Sequence, residues 1–302
     1  MPRSGVVIAV LAALAVTTTG CTDPRVGTIG GRVRVVAAEN FWGSIARQLG
    51  GAHAQVQSLI SNPAQDPHSY EPTTGDARAM ATAQLAIVNG VGYDPWAPKL
   101  LAANPVNGRI TLTVGALLHL REGDNPHRWY DPADVTRVAQ TITADLQRLD
   151  PPHKLYFAQR LTQFDVRGLA GYHRLIAQIR QRYRGVPVGA SESIFALQAP
   201  ALGLDLITPP GFMKAVSEGA EVGAQDTVAT ERQLAAHRVK VWLYNAQNVT
   251  PEVQRLNRAA RAAGIPTVTV TETLSPASDT FQQWQVAQLS RLQAALDRAT
   301  GR

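Results

Sequence analysis

Residues Pro151–Gly185, PPHKLYFAQRLTQFDVRGLAGYHRLIAQIRQRYRG, decide the reading of the fold. After Pro151-Pro152 no proline interrupts the run from His153 to Arg184. Within it Leu155, Phe157, Leu161, Phe164, Leu169, Tyr172, Leu175, Ile176 and Ile179 recur at mixed three- and four-residue spacing. That spacing lays an apolar stripe along one side of an α-helix. It predicts a single helix of roughly thirty residues, about 45 Å long at 1.5 Å per residue. Gly168 and Gly171 weaken it locally and mark the place for a kink, and Gly185 terminates it.

On both sides of this helix, short β-branched runs alternate with helical stretches. Upstream, strands are expected at Val33–Ala37, Val56–Ile60, Leu85–Val88 and Ile110–Val114. Helices are expected at Phe41–Leu49, Gly75–Ala83, Trp96–Ala102 and Ala133–Leu149. Downstream, strands fall at Val186–Ala190, Asp205–Thr208, Val239–Tyr244 and Thr267–Val270, punctuated by Pro200, Pro209-Pro210-Gly211 and Pro251. Helices follow at Glu231–His237, Pro251–Ala263 and Thr280–Ala299. This order signals parallel βα units. The expected fold is α/β, with two parallel-sheet lobes (residues 33–150 and 186–302) bridged by one long helix (residues 151–185).

The chain of 302 residues is 45% hydrophobic and only 17% charged, a balance that suits a globular protein with a sizeable core. Its start reads as an export signal covering residues 1–20. Arg3 supplies a positive charge, and the apolar run Val6–Val16 is shorter than the ~20 residues a membrane-spanning helix needs. Thr17-Thr18-Thr19-Gly20 then leads into Cys21, the single cysteine of the chain. A lone cysteine makes no internal disulfide. Two readings stay open: an ordinary signal with an incidental cysteine, or a bacterial lipoprotein cut after Gly20 and lipidated on Cys21. In the second reading residues 21–32 form a polar tether and the protein sits on the outer face of the cytoplasmic membrane. The net charge of +6 comes from scattered basic residues without interleaved aromatics, which argues against a nucleic-acid partner.

Two near-echoing hexapeptides point to function: Asp66-Pro67-His68-Ser69-Tyr70-Glu71 and Asn125-Pro126-His127-Arg128-Trp129-Tyr130. Each presents a histidine directly after a proline, whose fixed φ stiffens the backbone. Singly, each is a surface turn; as a pair in a chain with seven histidines, His68 and His127 are candidate metal ligands from two loops. In the second half, Glu192 directly follows one expected strand and Glu272 another. Carboxyl ends of parallel strands border the ligand crevice of α/β sheets. Each glutamate alone could instead serve a helix N-terminus. Two neutral imidazoles and two carboxylates suit a divalent first-row ion. A full set of four protein ligands favours binding over catalysis, because catalytic zinc keeps an open position.

These motifs resemble the zinc/manganese solute-binding lipoproteins of bacterial metal ABC importers, the ZnuA/TroA-like family. The resemblance runs roughly from Val33 to Leu296. It rests on Ala38–Gly43, Asp66–Pro72, Asn89–Tyr93, Asn125–Pro132, Ser191–Phe195 with Ala201–Leu204, and Thr271–Ser275, in the family's order. It implies two α/β lobes bridged by a rigid long helix, with the metal in the cleft between them. It carries the family's ligands onto His68, His127, Glu192 and Glu272, the last replacing a usual aspartate with one more methylene. It also implies a non-enzymatic receptor, monomeric, that captures Zn²⁺ or Mn²⁺ as cargo and delivers it to a membrane permease. Glu192 in place of a third histidine, and no His-rich run after Tyr70, lean towards manganese. Zinc binds most N/O sites more tightly, so donor type does not settle the metal.

Other residues are weighed and set aside. His53, His119, His153, His173 and His237 lack the loop context. Glu39 and Asn40 could brace the first-lobe loops, and Asp131 could either orient an imidazole or cap the following helix. Ser191 and Ser193 lack the Gly-x-Ser-x-Gly context of a hydrolase nucleophile, and no His-Glu-x-x-His, Walker A or Gly-x-Gly-x-x-Gly motif occurs. The rival reading is a metal-dependent hydrolase with three protein ligands and a bound water. A weaker one is a scaffold protein with a structural metal.

Overall fold

The computed structural model describes residue 1, residues 31–63, 65, 67 and 70–302. The export signal, Cys21, most of the tether and His68 lie outside the described residues. The first half is built from β1 (Val33–Glu39), α1 (Asn40–Gly50), β2 (Ala54–Ile60), α2 (Thr74–Met80), β3 (Leu85–Val88), α3 (Trp96–Ala103), β4 (Ile110–Thr113), α4 (Val114–Leu117) and α5 (Pro132–Leu149). Its four strands are parallel in the order β2-β1-β3-β4, with Val35 facing Val56 on one side and Leu85 on the other. Parallel sheets are covered by helices on both faces, which is why β3 is apolar and buried at every position.

The second half repeats the plan. It comprises α6 (Lys154–Gln163), α7 (Ala170–Tyr183), β5 (Pro187–Ala190), α8 (Ala199–Leu202), β6 (Asp205–Leu206), α9 (Pro210–Ser217), α10 (Ala224–Ala235), β7 (Val241–Asn245), α11 (Pro251–Ala262), β8 (Thr267–Val270) and α12 (Phe281–Thr300). The strand order is β6-β5-β7-β8, again all parallel. In each sheet the chain reverses its winding at the first strand, so β1/β3 and β5/β7 are the switch points where an open α/β sheet leaves a crevice.

The bridge differs from one uninterrupted α-helix. Between α6 and α7, residues Phe164–Gly168 form a π-turn, closed by the Leu169 amide donating to the Phe164 carbonyl at 2.8 Å. The buried stripe explains it. Phe157 and Phe164 are seven apart, and Leu169, Tyr172, Leu175, Ile179 and Tyr183 follow at three and four, but Phe164 to Leu169 is a step of five. A regular helix would swing that step off the stripe; one π-turn restores the face. Leu155, on the expected stripe, is instead 80% exposed. Gly185 ends the bridge at φ +74°.

Helix α5 begins where Asp131 accepts hydrogen bonds from the amides of Ala133 and Asp134, with Pro132 in the first turn. Helix α12 starts at a capping box, Thr280 with Gln283, and packs along α7. Its first turn also reaches the first lobe: the Phe281 amide donates to Ser44 Oγ at 2.9 Å, and the Gln282 and Gln48 side-chain amides pair. One apolar core, from Val33 through Phe164 to Leu296, is continuous across both lobes. Two helical connections and a shared core therefore hold the sheets together. Helix α9 starts at Pro210, where the sequence reads only punctuation; proline is at home in a first helical turn.

Candidate metal centre

The second lobe supplies its acidic groups from strand ends. Glu192 lies two residues beyond β5 and Glu272 two beyond β8, with Asn245 closing β7 between them. The Asn245 amide nitrogen donates to Glu192 Oε1 at 2.8 Å and to Glu272 Oε1 at 2.7 Å. One side chain thus spends both its protons on the two carboxylates. Asn248 Nδ2 donates to Glu192 Oε2 at 2.9 Å, and the Tyr93 hydroxyl, from the first lobe, donates to Glu272 Oε2 at 3.0 Å. Gln247 Oε1 fixes the backbone here, accepting from the amides of Glu272 and Thr273. Glu192 and Glu272 are 1% and 4% exposed.

His127 arrives from the loop before α5 and is 1% exposed. Asn125 Oδ1 accepts from its amide at 3.0 Å and lies 2.8 Å from its Nδ1. A carbonyl oxygen only accepts, so this contact assigns the proton to Nδ1 and the lone pair to Nε2. The ring meets Tyr93 and Trp129 edge-on, at 74° and 71°, and Trp129 stacks on Phe41 at 3.9 Å. One ligand atom from each of His127, Glu192 and Glu272 lies within 4.8 Å of the others. Donors on opposite sides of an ion with bonds of 2.0–2.3 Å are separated by about 4–4.6 Å, so the three side chains are near enough to close on one ion.

Tyr93 is held by a tight loop. Gly90, Val91 and Gly92 have φ of +75°, +58° and +73°. A β-branched residue in that region is strained, by about 1–3 kcal/mol. Asp94 braces the turn by accepting from the amides of Asn89 and Gly90 at 2.8 and 2.7 Å. Beside it, Glu39 at the end of β1 is fully buried, with its carboxyl against that of Asp94. Burial first, then the Asp94 charge, push the Glu39 carboxyl well above its ordinary range. Asp94 is raised by burial, against the pull of its two amide bonds. Glu39 therefore holds the proton and Asp94 the charge. Burial first and the Glu272 charge second also raise the Tyr93 phenol, which stays neutral as a donor.

The sequence profile described as "ZnuA: Zinc-uptake complex component A periplasmic" matches residues 35–295. The chain belongs to this family. Its members are extracytoplasmic metal-binding components of importers and not enzymes, and the hydrolase reading finds no support. The chain is similar to the manganese-binding lipoprotein MntA of Halalkalibacterium halodurans, 25% identical over 66% of this chain and 68% of that protein. It is also similar to the zinc-binding protein TroA of Treponema pallidum, 23% identical over 78% and 77%. Among solved structures, the Mn-bound periplasmic metal binding protein from candidatus Liberibacter asiaticus shares the fold. Its TM-score is 0.72 at 19% identity, covering 88% of this chain and all of that one.

Within this ZnuA-family chain, three of the four expected ligands converge, and the fourth, His68, lies outside the described residues. Its neighbour Pro67 is fixed, its carbonyl accepting from Trp96 Nε1 at 3.1 Å, and Tyr70 is tied to Asp76 at 2.7 Å. Asn40 is not turned to the carboxylates; its Oδ1 accepts the Leu274 amide at 3.1 Å and so joins the lobes. Asp131 caps α5 and lies 3.9 Å from Arg128, and the side chain that meets the imidazole is Asn125. The sequence alone does not mark Asn125, Asn245, Asn248 and Tyr93 as site residues. Asn245 carries the same signal as the glutamates, a polar residue ending an apolar strand.

Two cavities adjoin the cluster. One, of about 490 Å³, is lined by His127, Asn125, Ser193 and Met213; the other, of about 230 Å³, by Pro67, Gln247, Asn248 and Glu272. Both include Ser217 and Glu218, so the site has approaches from two sides. A larger cavity of about 760 Å³ lies at the far ends of β7 and β8, among Lys240, Arg261 and Arg298, a lining that repels cations.

Proposed function

We propose that this chain captures Zn²⁺ or Mn²⁺ as cargo between its lobes through His68, His127, Glu192 and Glu272, and delivers it to a membrane permease. The observation that carries the reading is the buried convergence of His127 from one lobe with Glu192 and Glu272 from the other. Two amides and a phenol are among the groups that donate to the two carboxylates. A divalent cation held by both carboxylates would offset their like charges. His68 completes the set to two nitrogen and two oxygen donors, a closed site suited to carriage.

The reading includes lobes at residues 33–150 and 186–302, a bridge at 151–185, and a monomer that binds no nucleic acid. It also includes removal of residues 1–20 and lipidation of Cys21, with residues 21–32 as the tether. No helix among the described residues is long and apolar enough to cross a membrane, so the anchor would be the lipid. Competitive Zn²⁺/Mn²⁺ titration with Glu192→Ala alongside tests the site. Tight, reversible binding that collapses in the variant is expected; binding indifferent to Glu192 would overturn it. Cys21→Ser tests the anchor by membrane fractionation, and an unchanged membrane-bound fraction would refute lipidation there.

A further inference from the structure

Away from the cleft, two histidines that the sequence gives no reason to pair come together on the first lobe. His53 ends the short turn Gly51–His53 between α1 and β2, and His153 ends the turn Pro151–His153 between α5 and α6. Asp150 caps the end of α5 between them. The two imidazoles stack at 3.7 Å between centroids and 28° between planes. His153 Nδ1 lies 2.9 and 2.8 Å from the two Asp150 oxygens. One ligand atom from each of the three residues lies within 4.8 Å of the others.

We propose that His53, Asp150 and His153 form a second divalent-metal site, selective for borderline ions of the zinc class over manganese. The donor set is two imidazole nitrogens and one carboxylate, richer in nitrogen than the cleft, and imidazole suits zinc where carboxylate suits manganese. The nitrogen–oxygen separation of 2.8–2.9 Å is a hydrogen-bond distance, whereas tetrahedral donors on one ion with bonds near 2.1 Å lie about 3.4 Å apart, so an ion here replaces the His153–Asp150 hydrogen bond and turns the stacked rings towards it.

The turns that carry the groups are held in place. Tyr156 packs edge-on against the His53 ring at 4.6 Å, and its hydroxyl accepts the Ala52 amide at 2.9 Å, pinning the turn. Pro151-Pro152 stiffens the other turn. Asp150 is buried while both histidines are partly exposed, so an ion here faces solvent on one side and completes its sphere with water. Three protein ligands and an open face make an exchangeable site, unlike a closed structural one.

The alternative is that stacking and the His153–Asp150 bond only close the corner between α5 and α6. Metal stoichiometry separates the two. Purified protein is titrated with Zn²⁺ and separately with Mn²⁺, beside His53→Ala, His153→Ala and Glu192→Ala. The expected result is two zinc ions but one manganese ion per chain. Either histidine variant should lose one zinc and keep its manganese; Glu192→Ala should keep the second zinc, so this site is read independently of the cleft. Circular dichroism of each metal-free variant checks that the fold persists, and His153→Gln serves if the alanine does not fold. A single zinc per chain in the unsubstituted protein, or a second zinc indifferent to both histidines, would overturn the proposal.

Discussion

The two lobes share a strand order and differ in how they reach the cleft. The second lobe places Glu192 and Glu272 two residues beyond strands whose neighbours fix their direction, and Asn245 ties the pair together from β7. The first lobe presents His127 from a loop, held by Asn125 and walled by Tyr93 and Trp129. The carboxylate half is thus set by backbone pairing and the imidazole half by side-chain contacts. The lobe carrying the negative charge should dominate affinity, and the residues behind His127 should tune it.

The sharpest break of that contrast is removal of a carboxylate. Glu192→Ala and Glu272→Ala should each lower metal affinity by more than the ~10–100-fold typical of a group behind the ligands. A loss below ~10-fold in isothermal titration would put the ion elsewhere. Asn245→Ala should come next, at roughly 10–100-fold, because both carboxylates lose one shared donor. Asn125→Ala should cost about 10-fold, the lower end of the same range, since the aromatic wall still confines the ring. If Asn125→Ala exceeded Asn245→Ala, the ranking of the two lobes would be reversed. Affinity should also fall as pH drops from 7 to 5, because only neutral imidazole ligates. A flat profile between pH 7 and pH 5 would remove His127 from the site.

The smallest effect concerns stability without metal. Burial and Asp94 raise the Glu39 carboxyl, so the folded chain keeps a proton there that the unfolded chain releases above about 4.3. Its stabilising contribution is complete below that unfolded value and is lost as pH rises through the raised folded value. Glu39→Gln keeps the protonated shape and escapes the loss. Its melting temperature should therefore exceed that of the unsubstituted protein at pH 8, with the gap closing near pH 4. A lower value at pH 8 would mean Glu39 is needed ionised.

Much of this was legible in the residues because parallel βα units carry their own punctuation. The apolar runs at β3 and β8 coincide with the observed strands, and Glu192 and Glu272 stand two residues beyond strand ends, close to where the pattern places them. The misses have local causes. The five-residue step from Phe164 to Leu169 was in the sequence, but a count of threes and fours passes over the π-turn it encodes. Helix α10 starts at Ala224, well before the expected Glu231, because Ala224–Thr230 buries only Thr230 and shows little apolar period. Asn125 and Asn245 stayed unread because uncharged amides have no spacing rule. His53 and His153 meet only because two turns, distant in sequence, share a corner.

The most direct test of the central claim is a crystal structure of the zinc-loaded protein with anomalous scattering at the zinc edge. The account predicts a peak in the interlobe cleft at about 2.0–2.2 Å from a His127 nitrogen and from one oxygen each of Glu192 and Glu272, with His68 as the fourth ligand. A peak that leaves either glutamate outside bonding distance, or no peak between the lobes, would contradict it.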